Sequence, residues 1–572
     1  MIEFSEGFSD RCGSYFELLY GKKLRKTLTM RLRGKLFAFS KLHGEHSYPE
    51  WSERDAVMVT FGDSICRDKH PLQTLSYFLQ QQLQGIFSTI HLLSYLPHSS
   101  DGALSVIDYR AVSPEYGSWY DIEQIGQEFD LMTDLMANHI SRESDWFSDY
   151  INGMKPRCDY FIEMPPESDL SSVVRSSKSP LLNEVHTRRG VRYLWSSFHH
   201  NQVDLNYRNP ELLFEMIDIL LFYLSKGNRF IRLNAVAYLW KELGSTCLNL
   251  PQSHAVVKLF REVMAAAAPG SILLAETHLS ATDNSSYLNA AEESQMVCQY
   301  ALAPLLIHAI HRGESRYLRQ WLEMRNPLPA GCSYLNFLDT HEGVAIWAAA
   351  ETLPLAEVTA VVAQMQARGG YASLRLSENE APYEINISFV DAMGDKGGAT
   401  SHEVVARVVL AHTIMFALRG VPALYFQGLM ATPNDLEGVA VTGHPRSINR
   451  HRWNYDLLMA RLSDKSSIHA RIFGELKRLL QLRQELTLFH PEAGEEVVDL
   501  GEALFALWRH ALDGESALLA LSNLSGEGVE VALPPAPAGK SLQREVISGE
   551  EITGGGKALQ LAPYQTLWLL YS

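Results

Sequence analysis

Four short stretches place polar side chains at the ends of apolar runs. Asp134-Leu-Met-Ala-Asn138-His139 closes one run, Arg232-Leu-Asn234 a second, Glu276 a third and Asp339-Thr-His341-Glu342 a fourth. In a barrel of parallel strands, reacting groups project from the strand C-termini. A single polar residue at such an end is usually a structural cap or a loop anchor. Acids, imidazoles and a guanidinium gathered from four strand ends suit a sugar site instead. There, one carboxyl protonates a leaving oxygen while a second carboxylate attacks the anomeric carbon. The strand Arg229-Phe-Ile-Arg-Leu delivers at its end an amide, Asn234, rather than a carboxylate.

The elements that position these groups follow from hydrophobic periodicity. From about residue 55, short apolar runs alternate with amphipathic helical stretches, the pattern of an α/β fold. The runs are Ala56–Phe61, Ser88–Leu93, Phe129–Leu135, Arg229–Asn234, Ser271–Glu276, Met296–Tyr300, Tyr334–Asp339 and Val421–Phe426. Eight such runs, each followed by helix-compatible sequence, suit a (β/α)₈ TIM barrel better than an open sheet, although periodicity alone does not separate the two. The chain divides into an N-terminal helical segment, 1–54, a barrel over 55–139 and 204–489, an inserted subdomain, 140–203, and a C-terminal all-β domain, 490–572. Residues 366–400 read as a smaller excursion before the last barrel strand.

Composition narrows the partners. With 572 residues, 46% of them hydrophobic, the chain can bury a large core. Its 50 basic and 66 acidic residues leave a net charge of −16, which argues against a nucleic-acid or anionic-membrane partner. The N-terminal segment is locally basic (Lys22, Lys23, Arg25, Lys26, Arg31, Arg33, Lys35), a pattern that suits a solvated helix face better than a nucleic-acid arm. Six scattered cysteines lack metal-like spacing and read as reduced, structural thiols. No apolar run is long enough to span a bilayer and no signal pattern opens the chain, so a cytoplasmic protein is expected. No nucleotide or flavin motif occurs, and Gly554-Gly-Gly556 reads as a turn.

At these residues the chain resembles the α-amylase superfamily of glycoside hydrolases. The matching regions occur in order: Asp134 to His139, Gln202-Val-Asp-Leu-Asn206, Arg232 to Ala235, the strand ending in Glu276, and His341-Glu342. The stretches Ser105 to Arg110, Gln202 to Pro210, Ala237 to Glu242, Pro382 to Asn386, Asn434 to Gly438 and Arg446 to Arg450 narrow the likeness to the sucrose phosphorylase branch, and within it to glucosylglycerate phosphorylases. That resemblance implies retaining transfer of glucose from a glucosylglycerate- or sucrose-type donor to phosphate, releasing glucose 1-phosphate. It assigns the nucleophile position to Asn234, the acid/base to Glu276 and the transition-state stabiliser position to Glu342. Asp101, His139, Arg232, His341 and Arg450 would bind substrate. It implies no metal and no cofactor, inorganic phosphate being the co-substrate, and it is compatible with a homodimer. Lys241, Arg188 and Arg189 are candidates for a phosphate or carboxylate contact, solvated surface charge being their plainer reading.

Three positions depart from the family. Asn234 and Glu342 stand where aspartates belong, and Leu104 stands where an aromatic is usual. An engineered exchange accounts for Asn234 alone. A catalytically silent glucoside-binding homologue accounts for all three departures. A working enzyme of altered chemistry would use Glu342 or water in place of the nucleophile. A hydrolase or transglucosylase of the same superfamily is a further reading of the scaffold.

Overall fold

The computed structural model describes residues 4, 7–44, 47–67, 70–99, 105–175, 179–277, 279–289, 292–374, 382–394, 400–551 and 558–572. Asp101, Leu104 and the turn at 554–556 lie outside them.

All eight apolar runs become strands of one closed parallel barrel. They are β1 (Val57–Phe61), β2 (Thr89–Leu93), β3 (Asp130–Leu135), β4 (Asn228–Leu233), β5 (Ile272–Ala275), β6 (Met296–Gln299), β7 (Ser333–Asn336) and β8 (Val421–Tyr425). Each strand neighbours the next in the sequence, and β8 returns to β1. Their near-continuous burial explains why they read as unbroken apolar runs rather than as alternating ones. The ladders stop slightly earlier than the runs do. Asn234, Glu276 and Asp339 lie just beyond β4, β5 and β7, and the Asn234 and Glu276 N–H groups still donate to the Leu135 and Leu233 carbonyls of the neighbouring strands.

Register decides which polar groups become neighbours. Asp134 is opposite Arg232, and Leu233 is opposite Ala275, so the following residues, Asn234 and Glu276, stand side by side. In parallel strands, register partners point to the same face.

The chain forms two compact units, residues 1–50, 70–76 and 91–297, and residues 51–69, 77–90 and 298–572. In the first, helices α1 (Phe8–Tyr20) and α2 (Lys22–His43) pack against α3 (Pro210–Ser225) and α4 (Pro251–Ala267). The basic N-terminal face is only partly solvated. Arg31 forms a bidentate pair with Glu211, at 2.6 and 2.8 Å, Lys35 pairs with Asp218, and Arg11 with Glu262. Helix α3 starts cleanly because the Asn209 side chain accepts the Glu211 N–H and Pro210 occupies the first turn. Segment 140–203 is bracketed by the short antiparallel pairing of His139–Ser141 with Gln202–Asp204 and contains the hairpin Leu182–Thr187/Gly190–Trp195.

The second unit holds the short hairpin Tyr371–Leu374/Pro382–Asn386 and a C-terminal antiparallel sheet. That sheet comprises β9 (Gly494–Val498), β10 (Leu504–His510), β11 (Ala517–Asn523), β12 (Leu542–Glu545) and β13 (Thr566–Tyr571), in the order β9-β10-β11-β13-β12. Leu504, Trp508, Leu519 and Leu569 fill its core. None of the six cysteines forms a disulfide. No helix among the described residues is long and apolar enough to cross a membrane.

Candidate active site

In the first unit, the end of β3 supplies Asp134. Its Oδ1 lies 3.0 Å from both Nη1 of Arg232 and Nε2 of His91. Burial works against a charge there, but the Arg232 guanidinium and His91 outweigh it and hold the Asp134 carboxyl well below the usual carboxylate range. Asp134 therefore stays ionised and anchors Arg232. The other guanidinium nitrogen, Nη2, lies 3.8 Å from Oε1 of Glu276.

Glu276 is 3% exposed. Its Oε2 accepts from the Asn234 side-chain amide at 2.8 Å and from the Ala235 N–H at 3.1 Å. Ala235 holds a left-handed backbone, with φ of 54°, an arrangement that costs a non-glycine residue about 1 kcal/mol. That turn aims its N–H at the carboxylate. With Asn234 as donor, the pair is an amide hydrogen-bonded to an acid, where the resemblance implies two carboxylates.

His139 is buried, with its Nδ1 3.3 Å from Nδ2 of Asn138 and its ring edge-to-face with Phe198. Behind it lies a closed polar network. Lys241 is 4% exposed, and its ammonium contacts Oδ2 of Asp204 at 2.6 Å, Oδ1 of Asn138 at 2.9 Å and the Tyr238 carbonyl. Asp204 accepts further bonds from the Ser197 backbone and hydroxyl and from Asn138. This corrects both sequence readings of Lys241. It is neither solvated surface charge nor an open anion contact, because its three donors are committed to internal oxygens. Arg189, at the turn of the inserted hairpin, pairs with Glu163, and Arg188 is exposed.

The second unit carries its own cluster. Phe61, at the end of β1, meets the ring of His341 edge-on at 5.6 Å, and the Arg450 guanidinium lies 5.5 Å from the centre of the Phe61 ring. Asp339 is buried against the backbone of Gly428, and burial pushes its carboxyl up to about 7. Glu342 Oε1 lies 2.7 Å from Nη1 of Arg446. Arg446 also forks onto Glu384, with Nε and Nη2 at 3.1 and 2.8 Å. Burial pushes the Glu384 carboxyl up, Arg446 draws it back down, and Glu342 adds to the rise.

Arg232, Asn234 and Glu276 thus come together in the first unit, and His341 and Arg450 share a ring in the second. His91, Arg446, Glu384 and Asn386 escaped the sequence reading as individual participants. His91 is a lone imidazole inside an apolar run, and Glu384 and Asn386 sit in an excursion with no chemical pattern of its own. Among the described residues, no group of three or more His, Cys, Asp or Glu side chains is placed to hold a metal ion.

Comparison with known proteins gives a consistent set. Residues 94–326 match the alpha amylase catalytic domain. The chain is 37% identical over 527 residues to a glucosylglycerate phosphorylase of Spirochaeta thermophila, covering 90% of this chain and 89% of that protein. It is 35% identical over 561 residues to a glucosylglycerate phosphorylase of Escherichia coli, covering 97% and 99%. The crystal structure of sucrose 6F-phosphate phosphorylase from Thermoanaerobacter thermosaccharolyticum has the same fold, with a TM-score of 0.73, 21% identity, and coverage of 89% of this chain and 98% of that one.

Proposed function

Because this chain belongs to the sucrose phosphorylase branch of the α-amylase superfamily, we propose that its site is built for an α-glucoside of the glucosylglycerate or sucrose type. The reaction of that scaffold is retaining transfer of glucose to inorganic phosphate, giving glucose 1-phosphate without a metal or organic cofactor. Retention takes two displacements through a covalent glucosyl intermediate. Glu276 is the acid/base: it protonates the departing oxygen and then removes the proton of the incoming phosphate. Arg232, held by ionised Asp134, supports the charge at position 234. His139, His341 and Arg450 grip glucose hydroxyls, and buried groups of that kind make sugar sites selective.

In this chain the first displacement lacks its nucleophile. The amide oxygen of Asn234 carries no full charge, and its adduct would be an imidate. Loss of a principal catalytic group costs on the order of 10⁴-fold or more. The observation that carries this reading is the 2.8 Å bond from the Asn234 amide to Glu276. The chain as it stands is therefore a glucoside-binding protein with turnover far below that of the scaffold. The experiment is to supply Asn234→Asp protein with glucosylglycerate or sucrose and phosphate and to assay glucose 1-phosphate. No product from either donor, with the protein folded, refutes the assignment.

A second reading, a silent glucoside-binding homologue, is favoured by a specific feature: Glu342 is engaged by Arg446 at 2.7 Å. Calorimetry with glucose, sucrose and glucosylglycerate tests it: failure to bind any of them, or robust turnover by the unmodified chain, would exclude this reading.

A further inference from the structure

Glu342 is one methylene longer than the aspartate of the family pattern, and the ion pair with Arg446 shows where the added reach goes. The main chain there is fixed before the side chain chooses a partner. Gly343 has φ of 100° and packs directly on the Ile385 carbonyl, leaving no room for a Cβ. Val344 and Ile385 exchange N–H···O bonds of 2.8 and 2.9 Å. The Asn386 amide donates at 2.5 Å both to the Glu342 carbonyl and to the Glu384 carboxylate. From this backbone, the glutamate carboxylate reaches Nη1 of Arg446 at 2.7 Å. An aspartate would stop short by about 1.5 Å, the length of one carbon–carbon bond. The guanidinium is itself immobilised, because Glu384, 5% exposed, holds it through two nitrogens.

We infer that Arg446 is a positioning residue: it draws the Glu342 carboxylate into a Glu342–Arg446–Glu384 bridge and so decides whether position 342 is available to a ligand hydroxyl. The inference deepens the glucoside reading and rests on it. The preference has a physical cause. A guanidinium–carboxylate contact adds the attraction of two opposite full charges to its charge-assisted hydrogen bond, whereas a sugar hydroxyl brings no charge of its own. Glu342 and Arg446 therefore act as one feature. The departure from aspartate at 342 is the change that lets the bridge span three side chains, and it lowers the site's grip on sugar.

The test is a double-variant cycle of E342Q and R446M, with E342D as an independent route. Binding of glucose and glucosylglycerate is measured by calorimetry, and thermal unfolding is recorded for every variant. E342Q should weaken glucoside binding at least about ten-fold more in the R446M background than in the parent, because only a released carboxylate can engage a hydroxyl. E342D, which withdraws the carboxylate from Arg446 without removing its charge, should tighten glucoside binding. Equal fold-changes for E342Q in both backgrounds overturn the inference. If R446M does not fold, unchanged or weaker binding by E342D overturns it. A purely structural bridge would couple the two positions in unfolding midpoints while leaving the affinity ratios alone. If no variant, the parent included, binds either sugar, the glucoside reading falls and the positioning role with it, whereas coupling in the unfolding cycle still reports whether the bridge forms.

Discussion

Replacing Asn234 with aspartate would put a second carboxylate where an amide now donates to Glu276 across 2.8 Å. The variant exchanges a favourable amide–acid contact for two like charges. At about 3 Å and an effective dielectric near 20, their repulsion is about 5 kcal/mol. Arg232, 3.8 Å from Glu276, offsets part of this. The pair escapes the rest by sharing a proton, so it titrates as a unit with one apparent value raised by several units. A carboxylate that attacks and a carboxylic acid that donates are then present together, which is what retaining transfer needs. Glucose 1-phosphate formation from glucosylglycerate or sucrose should rise by about 10⁴-fold or more over the parent. The same proton leaves a mark on stability. A folded-state value raised above the unfolded one means the variant's stability relative to the parent is full below about pH 4. It is lost as pH climbs through the raised value. Denaturant unfolding of both proteins from pH 4 to 8 reads this difference. A variant that gains no turnover and whose relative stability does not fall between pH 4 and 8 would refute the carboxylate-pair reasoning.

Removing the Lys241 ammonium strands Asp204 in a fully buried setting, so Lys241→Met should destabilise the fold by about 3–5 kcal/mol in denaturant unfolding. Asp339, raised by burial to about 7, binds its proton more tightly folded than unfolded. The stability this contributes is present below about pH 4 and disappears as pH rises to about 7, so Asp339→Asn should flatten that part of the unfolding profile, by at most about 4 kcal/mol. Gly343→Ala meets both a left-handed backbone and the Ile385 carbonyl and should cost about 2 kcal/mol or more, read as a lowered unfolding midpoint.

Much of this molecule was legible from residue order. Fully buried parallel strands need unbroken apolar runs, so β1 to β8 announced themselves without help from the fold. The ordered polar ends, from Asp134 to Glu342 in sequence, likewise pointed to sugar chemistry. The strand limits were less legible, because Asn234, Glu276 and Asp339 close an apolar run in sequence but lie beyond the last residues of β4, β5 and β7. Lys241 shows a different limit. A lysine six residues beyond Ala235 looks like solvated charge until the chain brings Asp204 and Asn138 around it.

Sequence alone determined the eight apolar runs of an α/β fold, the likeness to glucoside phosphorylases and the oddity of an amide at 234, since hydrophobic period and residue type are local properties. Only the tertiary structure decided who holds whom. The register of β4 and β5 sets Asn234 against Glu276, and the register of β3 and β4 sets Asp134 against Arg232. The ladder at Val344 and Ile385 delivers Glu342 to Arg446, a residue more than 100 positions away. A carboxylate's partner depends on distances of a few ångströms between remote segments, and such distances exist only once the chain has folded.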